Sequence, residues 1–237
     1  MHKYKYPNNV NIYITDLTYE KTPHTFLENG CTIEPESIEY FFNLIEDNPT
    51  ATIVDIGAQS GLYTLYAKYY PYIKYHAFEP NKEIYDLLCN NIKLNNITNI
   101  NTYNIALGEA KEKKLLHIPD QKEAVGLCTL GETPLRFKEF HTEEVDITTL
   151  DSIFFENNIK IDLMKIDTEG WEYYILKGGL KTLEKYHPDI FMEINPVNCM
   201  QCNVNVDKLF EFLHSMNYKF INIVNGENYH FTYNLKN

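Results

Sequence analysis

From Thr52 onward the chain alternates between two hydrophobic patterns. Short apolar runs suit strands buried on both faces: Ile53 to Ile56, Tyr75 to Phe78, Ile100 to Ile105, Ile161 to Ile166 and Ile190 to Ile194. Between them, apolar residues return every three or four positions, as an amphipathic helix requires. Leu62, Leu65, Tyr66 and Tyr69 make one such face, with Ser60 placed to cap it. Ile84, Leu87, Leu88, Asn91 and Ile92 make a second, in a helix capped by Asn81 and running through Leu94, and Val206 to Met216 a third. Shorter helices are expected to open at Thr149 or Asp151 and within Glu169-Gly170-Trp171-Glu172. This succession predicts an α/β fold, a mostly parallel sheet with helices on both faces. Tyr218 to Val224 and Tyr229 to Tyr233 flank Asn225-Gly226 and read as a closing hairpin.

Two stretches break the alternation. Gly108 to Glu144 is irregular, with one expected strand, Lys113 to Ile118, among the turn residues Pro119, Gly126, Gly131 and Pro134. In residues 1–50, Val10 to Ile14 reads as a strand and Glu36 to Glu46 as a helix with Ile38, Phe41, Phe42 and Ile45 along one side. Too short for a second catalytic unit, this segment is expected to cap the domain formed by residues 51–237.

The densest signal is VDIGAQSGLYT, Val54 to Thr64, followed by AFEPN, Ala77 to Asn81. Gly57 lets the backbone turn where a side chain would meet a ligand. Glu79 ends the second strand about 20 residues later, the offset at which a carboxylate meets a ribose in dinucleotide folds. The glycines nevertheless argue against NAD, because Gly57-x-x-x-Gly61 lacks the third glycine that seats a pyrophosphate. No Gly-Lys-Ser/Thr follows, so a P-loop is absent as well. What remains is a looser loop suited to an adenosine cofactor without phosphates, such as S-adenosylmethionine. In open sheets ligands bind beyond the strand carboxyl ends, so Gly57, Glu79, Asn104, Asp167 and Glu193 are expected on one rim.

Charge narrows the partners. A net charge of −12 with a single arginine, Arg136, works against a nucleic-acid substrate. The run Lys111-Glu112-Lys113-Lys114 reads as a solvated turn. No stretch approaches a membrane span, and five cysteines without framework spacing are consistent with a reducing, cytoplasmic setting. Cys199-x-x-Cys202 has no second pair to complete a zinc site, so no metal is expected.

In these blocks the chain resembles the FkbM family of S-adenosylmethionine-dependent methyltransferases. The likeness runs from Glu34-Pro35 to Pro196 and adds NIALG from Asn104, TTLDS from Thr148, IDLMKIDTEGWEYYILKG from Ile161 and PDIFMEI from Pro188, in order. The resemblance implies a class I methyltransferase (Rossmann-like) fold, a mostly parallel seven-stranded sheet with a C-terminal antiparallel hairpin. It also implies methyl transfer to an oxygen, often a hydroxyl of a sugar or natural product. By position, Asp55, Gly57, Ala58, Gln59 and Gly61 would line the methionine part of the cofactor. Glu79 and Pro80 would meet the ribose, Asn104, Ile105 and Ala106 the adenine edge, and Asp167 would lie beside the transferred methyl. The family usually has Asn where this chain has Gln59, and Asn tolerates left-handed backbone better.

Such a reaction needs an aligned acceptor oxygen and a base for its proton. Asp167, Glu169 and Glu193 are the candidate bases, and strand alternation puts Lys165 on the same face as Asp167. Each has a structural alternative: Asp167 as a helix N-cap, Glu169 as a first-turn carboxylate, Glu193 as a strand end. His117 and His141 could serve as base, and Trp171 and Phe137 could stack on a sugar. The insertion at Gly108 to Glu144 and the N-terminal cap are where acceptor specificity is expected. The expected partner is a small-molecule or glycan acceptor, with neither nucleic acid nor membrane. The alternatives are methylation of RNA or protein and a cofactor-binding protein without catalysis. Against amide methylation, Asn195-Pro196-Val197 lacks the second proline and aromatic residue of an N-P-P-Y motif.

Overall fold

The computed structural model describes residues 2–5, 11–14 and 34–234. Strands β1 (His2–Lys5) and β2 (Asn11–Ile14) pair antiparallel, and helix α1 (Pro35–Asn43) follows. The main sheet then begins with β3 (Thr52–Ile56), β4 (Lys74–Phe78), helix α2 (Lys82–Leu94) and β5 (Ile100–Tyr103). Asn81 caps α2 as expected, accepting from the amides of Glu83 and Ile84. A separate three-stranded sheet comprises β6 (Ala106–Leu107), β7 (Glu112–Pro119) and β8 (Phe140–Thr148). The main fold resumes with β9 (Leu163–Ile166), α3 (Glu172–Lys177), α4 (Leu180–Tyr186) and β10 (Asp189–Glu193). It ends with α5 (Pro196–Gln201), α6 (Val206–Ser215), β11 (Tyr218–Val224) and β12 (Asn228–Tyr233).

The seven-stranded sheet has the order β11-β12-β10-β9-β3-β4-β5. Pairs from β10 to β5 are parallel, and β12 alone runs antiparallel to both neighbours. The mostly parallel sheet and the closing hairpin are therefore as the sequence predicts. Successive crossovers leave β3 toward β4 on one side, while β9 packs on its other side, which opens a crevice at the strand carboxyl ends.

Three expectations are corrected. The segment after Gly61 is a short 3₁₀ turn, Thr64–Tyr69, rather than an amphipathic α-helix, and no side chain caps it; Ser60 donates to Gln59 instead. Spacings of three and four fit either winding over so few residues. The insertion contains β8 as well as the expected strand. That second strand was hidden because only Val145, Ile147 and Thr148 along it are buried. The element opening at Asp151 is a single π-helical turn, Asp151–Phe155.

Strand register sorts side chains into two layers. Val54, Met164, Ile190 and Met192 pack on one face with the helices that follow β9 and β10, whereas Ile53, Leu163, Tyr75 and Phe191 pack on the other against Ile38, Phe41 and Phe42 of α1. On that second face the apolar row ends one step toward the carboxyl edge, where Asp55 lies abreast of Lys165.

Gly57, at φ +79°, turns the chain at the end of β3, and a Cβ there would collide with the Asp167 carbonyl oxygen. Gly226 has a similar φ of +77° but open space around it. Gly226→Ala is expected to lose about 1–2 kcal/mol from backbone strain alone, and Gly57→Ala more than about 3 kcal/mol because the strand ends must separate. Urea unfolding of the two variants measures the difference; equal losses would mean that the close approach is relaxed without penalty.

Candidate active site

Continuing the register beyond β3, β4, β9 and β10 places Gly57, Glu79, Asp167 and Glu193 in one row at the carboxyl edge. They line a cavity of about 270 Å³ together with Asp55, Ala58, Gln59, Pro80, Ile105, Ala106, Lys165 and Glu169. Nearly every expected site residue is thus brought together. Two are not. Gly61, at φ +108°, is off the cavity, and its missing Cβ makes room for Leu65 and Leu88. Asn104 is also outside, donating to the backbone carbonyls of Glu79 and Pro80 at 2.9 Å each, so it fixes the loop that carries the carboxylate.

The cavity has two chemical ends. Near Glu79 its wall is apolar: Ile84, Ile105, Leu107, Leu116, Leu127 and Leu130. Glu79 itself is 7 % exposed, and its two oxygens accept from the amides of Gln59 at 3.0 Å and Asn81 at 2.8 Å. Burial pushes its carboxyl up to about 7, partly offset by those two amides. Each oxygen keeps a second lone pair for a ligand.

The other end is charged. Lys165, 5 % exposed at its side chain, donates to Asp167 at 2.9 Å. Burial pulls the ammonium down, but Asp167 and Asp55 outweigh it and hold Lys165 above its ordinary value. Asp55 accepts from Thr64 at 2.6 Å through one oxygen, while the other, Oδ1, is buried without a hydrogen-bond partner among the described residues. Asp167, Glu169 and Glu193 each bring a carboxylate oxygen within 4.8 Å of the others, a spacing that one cation could bridge. Glu169 is braced by Asn198 at 2.6 Å and Arg136 at 3.2 Å. Burial, then the charge of Asp167, raises its carboxyl to about 8 against the pull of Arg136. Glu193 is raised as well, first by Asp167, then by burial.

The alternative roles are resolved by position. Asp167 is not a helix cap, since α3 begins at Glu172 after Trp171. Glu169 precedes that helix, and Glu172 is the carboxylate that takes the amides of Thr168 and Gly170. His141 pairs with Asp120 outside the cavity, and His117 lies against Phe140. Trp171 is 7 % exposed and stacks on Tyr174, while Phe137 meets Phe140; neither reaches the cavity. Cys199 and Cys202 are buried free thiols.

Sequence reasoning missed Glu34 and Tyr63, which line the charged end. Glu34 precedes α1, and its position follows from the docking of that helix. A further signal appears only in the backbone. Among the described residues nine non-glycine positions have positive φ; five are Asn96, Asn158, Asn203, Asn217 and Asn225, and one is His187. The remaining three, Glu34 (φ 49°), Gln59 (φ 49°) and Glu169 (φ 55°), all line the cavity. Long side chains are rarely held this way except where surrounding structure demands it. For Gln59 this is the left-handed geometry expected at the position where the family has Asn.

The methyltransferase FkbM domain matches residues 55–220. The chain belongs to the FkbM methyltransferase family. Its cofactor is S-adenosylmethionine. Methyltransferase 1 of Beauveria bassiana (strain ARSEF 2860) is 28 % identical over 53 % of this chain and 57 % of its own length. Methyltransferase sdnD of Sordaria araneosa is 30 % identical over 53 % of this chain and 59 % of its own. The chain thus spans a little over half the length of these curated relatives. The crystal structure of methyltransferase FkbM from Methylobacillus flagellatus KT is similar in fold, with a TM-score of 0.54 at 14 % identity, over 84 % of this chain and 51 % of that one. Among the described residues no helix is long and apolar enough to cross a membrane.

The raised carboxyls give stability a sign. A carboxyl that holds its proton more tightly when folded contributes stability fully below its unfolded value, near 4.5, and loses it as pH rises through the folded value. Glu79, Glu169 and Glu193 all shift this way, and Lys165 stays protonated throughout that window. The thermal midpoint of the ligand-free protein is therefore expected to fall between pH 5 and pH 9, and Glu193→Gln to flatten the decline. A midpoint that climbs across this range would contradict the assignment.

Proposed function

We propose that the chain transfers the methyl group of S-adenosylmethionine to a hydroxyl oxygen of a sugar, glycan or related small molecule. Residues 51–237 form the catalytic domain in this reading, and residues 1–50 its cap. The observation that carries it is the two-ended cavity: an apolar wall beside a fixed carboxylate, continuous with a charged row beside Asp167.

The residues present fit the cofactor. Apolar side chains flank the end where an adenine would stack, and Glu79 offers two oriented acceptors to ribose hydroxyls. The unpartnered Oδ1 of Asp55 suits the ammonium of the methionine part. When bound, the cofactor supplies an activated methyl on a positively charged sulfur, whose carbon–sulfur bonding electrons remain on sulfur as the acceptor oxygen takes the carbon. The protein must orient that oxygen and receive its proton. Orientation contributes up to ~7–11 kcal/mol in well-aligned reactions, and a positioned base about 10²–10⁴-fold. Asp167 is the proposed base, oriented by Lys165, with Glu169 and Glu193 close enough to take up the proton. The lining residues from the insertion, Leu116, Leu127, Cys128 and Leu130, would shape the nucleoside side, leaving the acceptor to the end bounded by Glu34, Tyr63 and Glu193.

Methyl-labelled S-adenosylmethionine incubated with a panel of sugars, glycans and RNA tests the reading. Label on a hydroxyl oxygen of a small molecule or glycan is expected; label confined to RNA or to a protein, or cofactor binding with no turnover on any acceptor, would overturn it. Glu79→Ala is expected to abolish cofactor binding in calorimetry while the protein stays folded, and unchanged affinity would remove the ribose role. Asp167→Asn should lower kcat about 10²–10⁴-fold with cofactor affinity held within severalfold; a kcat near wild type would exclude Asp167 as base.

A further inference from the structure

The charged end of the cavity holds more negative than positive groups. Glu34, Asp55, Asp167, Glu169 and Glu193 line it; Lys165, the cation among the lining residues, is engaged by Asp167 at 2.9 Å, and Arg136, outside the lining, is engaged by Glu169 at 3.2 Å. An acceptor bearing phosphate or carboxylate would therefore meet no free cation among the described lining residues, and several carboxylates within reach.

A second observation points to a polar ligand at this end. Tyr63 is 3 % exposed and lines the cavity; among the described residues its buried hydroxyl makes no hydrogen bond of ordinary geometry and has the Ser37 side chain beside it. Lys165 lies over its ring at 4.6 Å, so the lysine occupies the aromatic face. Glu34, which also lines the cavity, is held in left-handed backbone at φ 49°, and among the described residues its carboxylate accepts from Asn228 at 3.5 Å. Asn228 in turn donates to Ser37 at 3.3 Å, so the first turn of α1 and the start of β12 brace the carboxylate.

Resting on the methyl-transfer reading, we propose that the acceptor is a hydroxylated amine, its protonated nitrogen read by Glu34 and Glu193 and its hydroxyl oriented by Tyr63 toward Asp167. A carboxylate pair with an ammonium between them forms charge-assisted hydrogen bonds in a partly dehydrated site, where they are strongest. The same pair repels the N-acetylated form only by loss of those bonds, but repels a phosphorylated form outright, so selectivity is graded in that order. An arriving ammonium also relieves the repulsion that keeps a proton on Glu193, so binding should release protons to solvent.

The test uses the whole chain with methyl-labelled S-adenosylmethionine and a panel of amino sugars, beginning with glucosamine, each beside its N-acetylated form and its 6-phosphate. Transfer to at least one amine should exceed that to its N-acetylated partner tenfold or more. Glu34→Gln, which preserves shape, should remove most of that preference through KM while leaving affinity for S-adenosylmethionine within twofold; Glu34→Asp should restore part of it. Calorimetry of the preferred amine, in two buffers of different ionisation heat, should register proton release. Equal use of the N-acetylated form, preference for the phosphate, or cofactor binding with no amine accepted would overturn the inference while leaving methyl transfer intact. Failure to bind the cofactor at all would instead bring down the reading beneath it. Use of neutral acceptors that appears only with added magnesium would give the carboxylates to a metal ion and likewise overturn the proposal.

Discussion

Lys165 is an ammonium withdrawn from water, and the charged row exists in its present form because of it. An unpaired charge buried to this degree costs several kcal/mol, which only close carboxylates offset. Asp167 at 2.9 Å and Asp55 in register supply them. The converse matters more for chemistry. One positive charge cannot neutralise Asp55, Asp167, Glu34 and Glu193 together, so burial and then the charge of Asp167 raise the proton affinity of Glu34, and the charge of Asp167 and then burial raise that of Glu193. Lys165 sets how many negative charges the row can keep at once.

That balance depends on strand register. Asp55 and Lys165 stand abreast because β3 and β9 pair in parallel with Ile53 opposite Leu163. A slip of one residue would send the lysine into the face packed with Met164 and Ile166 and bring an apolar side chain to the cavity. The apolar rows on both faces oppose such a slip, since Ile53, Leu163 and Phe191 fit only the layer under α1. Packing thus fixes electrostatics: the core decides which side chains reach the rim, and the rim inherits a charge pattern that no local interaction would assemble.

What the sequence made legible follows the same division. Glu79, Gly57 and Asp167 were readable because each lies at the end of an apolar run, where strand length and alternation locate it without tertiary information. Asn104 had the right strand and the wrong direction, because its amide turns back to the carbonyls of Glu79 and Pro80. Glu34 and Tyr63 carry no local signal of function. Their places depend on α1 docking over the sheet, where Phe41 packs on Tyr63 at 5.3 Å. The strand β8 was hidden for a different reason: Phe140 to Glu144, its first five residues, are all exposed, so no alternation of apolar and polar positions runs along most of its length.

The two ends of the cavity therefore rest on different kinds of order. The end around Glu79 is built from consecutive strand-turn segments, joined by a wall from the insertion, where Cys128 meets Asn81 at 3.7 Å. The opposite end is built by distant segments converging: α1 brings Glu34, β9 brings Lys165 and Asp167, β10 brings Glu193, and β12 brings Asn228 to brace the first. Left-handed backbone at Glu169 is tolerable because β9 and α3 hold its two flanks, and at Glu34 because α1 follows it directly. Under the proposed methyl transfer, substitutions around Glu34 and α1 would redraw the acceptor end while leaving the row beneath Gly57 and Glu79 untouched, so that specificity could vary on a constant cofactor site.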